Sequence, residues 1–198
     1  MISVSKLKSV VRRLMMATWL LALTTFAEPG FAEGDIWGYW ERLGDYPEGF
    51  TGGGPPMGDY EFLPLTADAR MRGESWDPGI QAQPERQCFP HSAVWAPFGP
   101  TPLRIRDEGD VIIVRMQSNE VLRRIWMDGR SHPSPQALHT WSGFSTGEWV
   151  GETLKITTTH IKEGFIRRNG IANSDRAVLT EYITRHDGYL VDIVVLED

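Results

Sequence analysis

The chain has 198 residues, a formal net charge of −6 at pH 7, 41% hydrophobic residues and a single cysteine, Cys88. The acidic balance argues against nucleic acid and anionic membrane surfaces as partners, and one thiol excludes a framework of intrachain disulfides. The length suits one domain held together by its hydrophobic core.

Lys6, Lys8, Arg12 and Arg13 precede an apolar run from Leu14 to Ala27, and the first acid is Glu28. A basic start, a short apolar core and small residues after it read as a secretory signal peptide over residues 1–32. Cleavage is expected after Ala32 in Gly30-Phe31-Ala32, with Ala27 as the alternative. The run falls short of the roughly 20 apolar residues that a membrane span needs. The expectation is therefore a periplasmic or secreted protein with no integral membrane span after signal cleavage. Residues 33–198 carry 16 lysines and arginines against 25 acids, so the mature part is more acidic than the whole.

Residues 33–102 are rich in glycine, proline and aromatics, as in "TGGGPPMGDY" and "WAPFGPTPL". Such a segment cannot carry long regular elements and is expected to wrap the core of the same domain. A first strand is expected in "DIWGYWERL", and one short helix over Ala67–Arg72 with Thr66 as its N-cap. Cys88, beside Phe89 and Pro90, reads as a small buried hydrophobe.

Residues 103–198 are expected to form the β core. Strand-like runs cover Leu103–Asp107, Val111–Met116, Val121–Met127, Phe144–Val150, Thr153–Ile161, Ala177–His186 and Tyr189–Leu196, with turn signals between them. Short strands at this spacing predict an all-β fold with minor α content. The expected arrangement is an antiparallel meander that closes into a lipocalin-like barrel or a strongly curved sheet.

Three stretches of the second half carry a resemblance: "RRIWMDGRSHP", "WSGFSTGEWVGETLKITTTHIKEGFIRRNG" and "SDRAVLTEYITRHDGYL". They resemble a family of exported bacterial proteins with DGRxHP, GxSxGxWxGxTL and THxKEGxxRRNG motifs. The likeness covers about residues 88–198, including Cys88-Phe89-Pro90. It implies export and a shared fold, and it carries no catalytic assignment. It also implies a further segment after the last acidic residues, which leaves open whether the sheet closes by residue 198.

Strand alternation selects candidate site residues. In "TLKITTTH", Leu154, Ile156 and Thr158 share a face with His160, which predicts an inward histidine. In "AVLTEYITRH", Leu179 and Ile183 share a face with Glu181, and a buried glutamate must be paired or protonated. Arg115 and Arg123 lie in otherwise apolar rows and are expected to face inward. His160, Glu181 and Arg168 form a candidate catalytic set, with His and Glu for proton transfer and Arg for an anionic oxygen. Arg115, Arg123, Trp126, Trp141, Arg167 and Asn169 are candidate ligand contacts. The competing account makes Glu181 and the arginines an ion-pair network that fixes strand register. In that account the charged loop is a turn pinned to Asp175.

Other motifs point elsewhere. His132, in "DGRSHP", reads as a packing element bonded to the Asp128-Gly129 backbone. The five histidines lack metal-ligand spacing, so no metal and no cofactor is expected. Gly143-Phe144-Ser145-Thr146-Gly147 matches the spacing of a nucleophile elbow, but strands follow where that motif needs a helix. Seven tryptophans between Trp37 and Trp149 suggest aromatic walls and a small apolar or aromatic ligand. The leading expectation is thus a binding protein. A cofactor-free acid–base enzyme and a structural envelope protein are the alternatives.

Overall fold

A computed structural model describes residues 34–43, 58–60, 63–77, 79, 83–84, 92–95, 102–117, 121–166 and 170–198. These belong to one compact unit, Glu33–Asp198. Residues 1–32, the expected signal peptide, and Cys88, His91, Arg167, Arg168 and Asn169 lie outside the described residues.

Among the described residues the fold is mostly β: an eight-stranded mixed sheet, strongly curled into a half-barrel, with a short helix over Ala67–Glu74. The strands in chain order are β1 (Gly38–Trp40), β2 (Leu103–Asp107), β3 (Val111–Met116), β4 (Leu122–Trp126), β5 (Phe144–Val150), β6 (Thr153–Thr159), β7 (Gly164–Phe165), β8 (Ala172–Asn173), β9 (Val178–His186) and β10 (Tyr189–Glu197). Helix α1 (Ala67–Glu74) starts where Thr66 Oγ1 accepts from the Ala69 N–H, as the capping pattern predicted. The sheet order is β1-β2-β3-β4-β5-β6-β9-β10, and β7 pairs only with β8.

One expectation fails. The sheet is not a simple meander, because β4 and β5 run parallel through Ile125↔Ser145 and Trp126↔Thr146. A parallel pair needs a crossover, which residues 127–143 supply. Two antiparallel blocks, β1–β4 and β5-β6-β9-β10, are thereby joined along a two-residue seam. The first strand also belongs to the sheet: β1 pairs with β2, so residues 33–102 do more than wrap the core.

Alternation places Ile105, Ile112, Val114, Arg123, Ile125, Ser145, Leu154, Ile156, Thr158, Leu179, Glu181 and Ile183 on the concave face. Two segments from outside the β core close its ends. At one end Ile36 packs with Leu154, Ile156 and Ile183, and Trp37 meets Trp149 edge to face at 6.2 Å. Arg185 binds Asp35 at 2.7 Å there. At the other end Ala93 and Val94 pack with Ile161 and Leu179, while Trp95 joins Met116 and Val121. Each buried aliphatic side chain contributes about 1.5–3 kcal/mol relative to exposure, so these plugs hold the curl that hydrogen bonds alone would not.

Candidate functional site

Two clusters of polar side chains lie on opposite faces of β5 and β6. The inner cluster centres on Arg123 and Glu181, 3% and 1% exposed. Arg123 Nη1 donates to Glu181 Oε1 at 2.8 Å, and Nη2 donates to both Glu181 Oε2 and Thr158 Oγ1. Ser145 and Thr158 complete the network through a 2.8 Å hydroxyl pair. Arg123 is on β4 and Glu181 on β9, three steps apart in the sheet, or about 14 Å on a flat one. Their contact is therefore made across the concave side. Most inward positions between them are small, Ser145 and Gly147 on β5 and Thr158 on β6, with Ile156 beside Glu181 as the large one. A Cβ at Gly147 would come within 2.6 Å of Met127 Sδ and 2.8 Å of Ile125 Cγ2.

Burial alone would lower the Arg123 pKa; the charge and hydrogen bonds of Glu181, with Asp192 adding to them, outweigh it and hold the guanidinium above its ordinary value. Asp192 faces the concave side from β10, in the row of Leu190, Val194 and Leu196. Desolvation first, then repulsion by Glu181, push its carboxyl up to about 8, with Arg123 pulling the other way. By surface area Asp192 is nonetheless exposed. It sits at the open edge of the concavity, enclosed by protein yet reached by water, so its effect on stability is smaller than full burial would give.

The outer cluster was not legible as such. His132, in the crossover, joins two strands: Nδ1 lies 2.7 Å from Thr159 Oγ1 and Nε2 lies 2.9 Å from Thr146 Oγ1. Thr159 Oγ1 is also 2.7 Å from His160 Nδ1, and His160 Nε2 lies 2.8 Å from the Ser134 carbonyl. The His139 ring packs against that of His160 at 5.1 Å, and Phe144 meets His132 edge to face at 5.4 Å. Desolvation, then repulsion by His160, lowers the pKa of His132.

His160 is buried as expected, but not for the expected reason. Its φ of 55° places it in the left-handed region, which ends the alternation of β6. The ring thus bonds Thr159, on the convex row, and His160 belongs to a different network from Glu181. The strain, of order 1–3 kcal/mol, is offset by three anchors. Both ring nitrogens are bonded, and the His160 carbonyl accepts from Thr140 N–H at 2.9 Å.

The remaining candidates are placed as follows. Arg115 is exposed, because the concave row of β3 is Ile112, Val114 and Met116; β3 is apolar on both faces, so its inner face could not be chosen from sequence. Arg123 and Glu181 do meet. Trp126 is half-buried under the Arg130 guanidinium at 3.6 Å, and Trp141 lies under Lys162 at 5.4 Å. His132 is not bonded to the Asp128-Gly129 backbone; the Asp128 carboxylate binds Arg130 instead. That pair lowers the Asp128 pKa through its hydrogen bond with Arg130.

Among the described residues, no group of three or more His, Cys, Asp or Glu is arranged to hold a metal ion. No helix among them is long and apolar enough to cross a membrane. In comparisons with known proteins, no family model, no curated protein and no solved structure matches the chain.

Proposed function

We propose that the chain is an exported, lipocalin-like protein that binds a small apolar or aromatic molecule at the open side of the half-barrel. The observation that carries this reading is the concave row of β10. Leu190, Val194 and Leu196 are only half-buried, and Asp192 in the same row is exposed. A partly apolar wall with one polar group is the usual composition of a small-molecule site. Asp192 would anchor a hydroxyl or amine, and the acidic chain disfavours an anionic ligand. The basic start and apolar run before Glu28 support export.

The test is a titration of the mature protein with the neutral apolar dye N-phenyl-1-naphthylamine. Binding in the micromolar range is expected. Val194→Lys should weaken it about tenfold or more, because a charge then faces the apolar body of the dye. Equal affinity of the two proteins would overturn the assignment. N-terminal sequencing of exported protein is expected to start at Glu33.

A further inference from the structure

The outer cluster has a hydrogen-bond polarity that can be worked out atom by atom. The Ser134 carbonyl can only accept, so His160 Nε2 carries a proton and donates to it. In the neutral ring Nδ1 must then accept, and its partner, the Thr159 hydroxyl, donates to it. The Thr159 oxygen thus receives the Nδ1–H of His132, which leaves His132 Nε2 as an acceptor for the Thr146 hydroxyl. Four bonds point one way: Thr146 to His132, His132 to Thr159, Thr159 to His160, His160 to Ser134.

This chain can take up one proton at one place and reverse. When a proton reaches His132 Nε2, the Thr146 hydroxyl turns to accept from it. The Nδ1 proton of His132 passes to the Thr159 oxygen as the Thr159 proton passes to His160 Nδ1. The charge then rests on His160, whose Nε2–H still meets the Ser134 carbonyl. The two rings share the Thr159 hydroxyl, so a proton gained at one reorders the bond to the other.

We propose that His132, coupled through Thr159 to His160, is a general acid–base site on the convex face of the sheet. It would serve a small neutral aromatic molecule that gives up a proton from carbon. Thr146 and Trp126 are register partners on neighbouring strands, and Phe144 flanks His132, so the reacting nitrogen has an aromatic surround. His132 and Thr146 are only half-buried, so Nε2 can be approached when the Thr146 side chain changes rotamer and moves its oxygen aside. The charged groups around the pair are mostly matched to each other. Asp128 binds Arg130 on the crossover, and Glu148 binds Lys155 further along β5 and β6. Lys162 lies over Trp141, and His139 faces the ring of His160. The shared proton thus stays with the two imidazoles. His132 is the catalytic residue; Thr159 and His160 are positioning residues. This inference is independent of the ligand site on the concave face.

The probe is 5-nitrobenzisoxazole, and the full mature chain is used. His132 Nε2 takes the C3 proton, the electrons of the C–H bond complete a nitrile, the N–O bond breaks, and the oxygen leaves as a coloured phenolate. Solvent then removes the proton from the pair. Ring opening is expected to be roughly 10²-fold slower in His132→Ala. Thr159→Val should slow ring opening and change its pH profile, and Thr159→Ser should restore both. Nitrogen-detected NMR gives a readout that needs no turnover. At high pH, His132 is expected as the Nδ1–H tautomer and His160 as the Nε2–H tautomer. On acidification the two rings are expected to shift together, and Thr159→Val is expected to separate them. A wild-type rate equal to that of His132→Ala overturns the catalytic claim. Independent titration of the two rings in wild type, or a Thr159→Val protein with an unchanged pH profile, overturns the coupling.

Discussion

The two polar clusters occupy opposite faces of the same two strands, and they solve opposite problems. The inner one buries full charges and leaves none of them room to change: Glu181 is met by two nitrogens of Arg123, and Thr158 and Ser145 sit beneath. The outer one contains neutral rings and hydroxyls, each able to act as donor or acceptor. A fixed ion pair specifies which strands lie across from each other, whereas a reversible hydrogen-bond chain can accept and return a proton. Density of polar residues in a sequence does not distinguish these cases; the capacity of each atom to change role does.

The largest effect is expected where the inner cluster is broken on one side. Glu181→Ala strands a buried guanidinium and should destabilise the fold by about 3–5 kcal/mol, read from urea unfolding. The double change Arg123→Met with Glu181→Leu should return to about the wild-type value or above it. If the single change costs less than about 1 kcal/mol, the pair is not the register lock described above.

Gly143→Ala comes next, because it strikes both clusters together. Gly143 has a φ of 66°, and an added Cβ would lie 2.6 Å from the Thr158 methyl and 2.7 Å from the Thr159 carbonyl oxygen. Left-handed strain and overpacking together predict a loss of about 2–4 kcal/mol in the same measurement. Thr159→Val touches the outer cluster alone. It removes the hydroxyl shared by two imidazoles and should cost about 1–2 kcal/mol. A cost equal to that of Glu181→Ala would mean that the outer chain is a structural pin as strong as the inner one.

The smallest effects concern pH, and their signs oppose one another. Asp192 binds its proton more tightly in the folded chain, so its contribution is complete below the ordinary carboxylate value and fades as pH rises to about 8. His132 binds its proton less tightly when folded, so its contribution is present above its ordinary value of 6.5 and is lost as pH falls. Asp192→Asn should therefore flatten the decline between about pH 4 and 8, and His132→Gln the loss on acidification below about pH 6.5. The Asp192 slope should be shallow because water reaches the group. Identical curves for wild type and both variants would remove this contrast.

Much of the strand layout was legible. Leu103–Asp107, Val111–Met116 and Phe144–Val150 form strands over the expected bounds, and Thr66 caps the helix, because alternation and capping are local signals. Arg123 and Glu181 could be assigned to the inner face, since each lies between strong aliphatics in a row. Their pairing across three strand steps was not written in either row. The parallel seam was hidden because a strand's pattern says nothing of its neighbour's direction. His160 misled for a more specific reason. A period of two extrapolates correctly only while the backbone stays extended, and one left-handed residue ends it. The signal that could have exposed His132 is the threonine row of β5 and β6. Thr146, Thr157 and Thr159 supply hydroxyls on the convex face that a neighbouring ring can bond.

The seam between β4 and β5 has one more consequence. Only two residue pairs join the two antiparallel blocks through the sheet. The blocks are otherwise joined by the covalent crossover 127–143, by the Arg123–Glu181 bridge, and by the plugs at either end, Ile36 and Ala93-Val94, which pack on the second block. The molecule is thus a spliced object, in which either block completes the interior of the other. Cut within the crossover, the halves would behave as complementary fragments, each a poor fold alone. Their reassociation would be driven by the plugs and the shared core, with one arginine finding one glutamate to set the register.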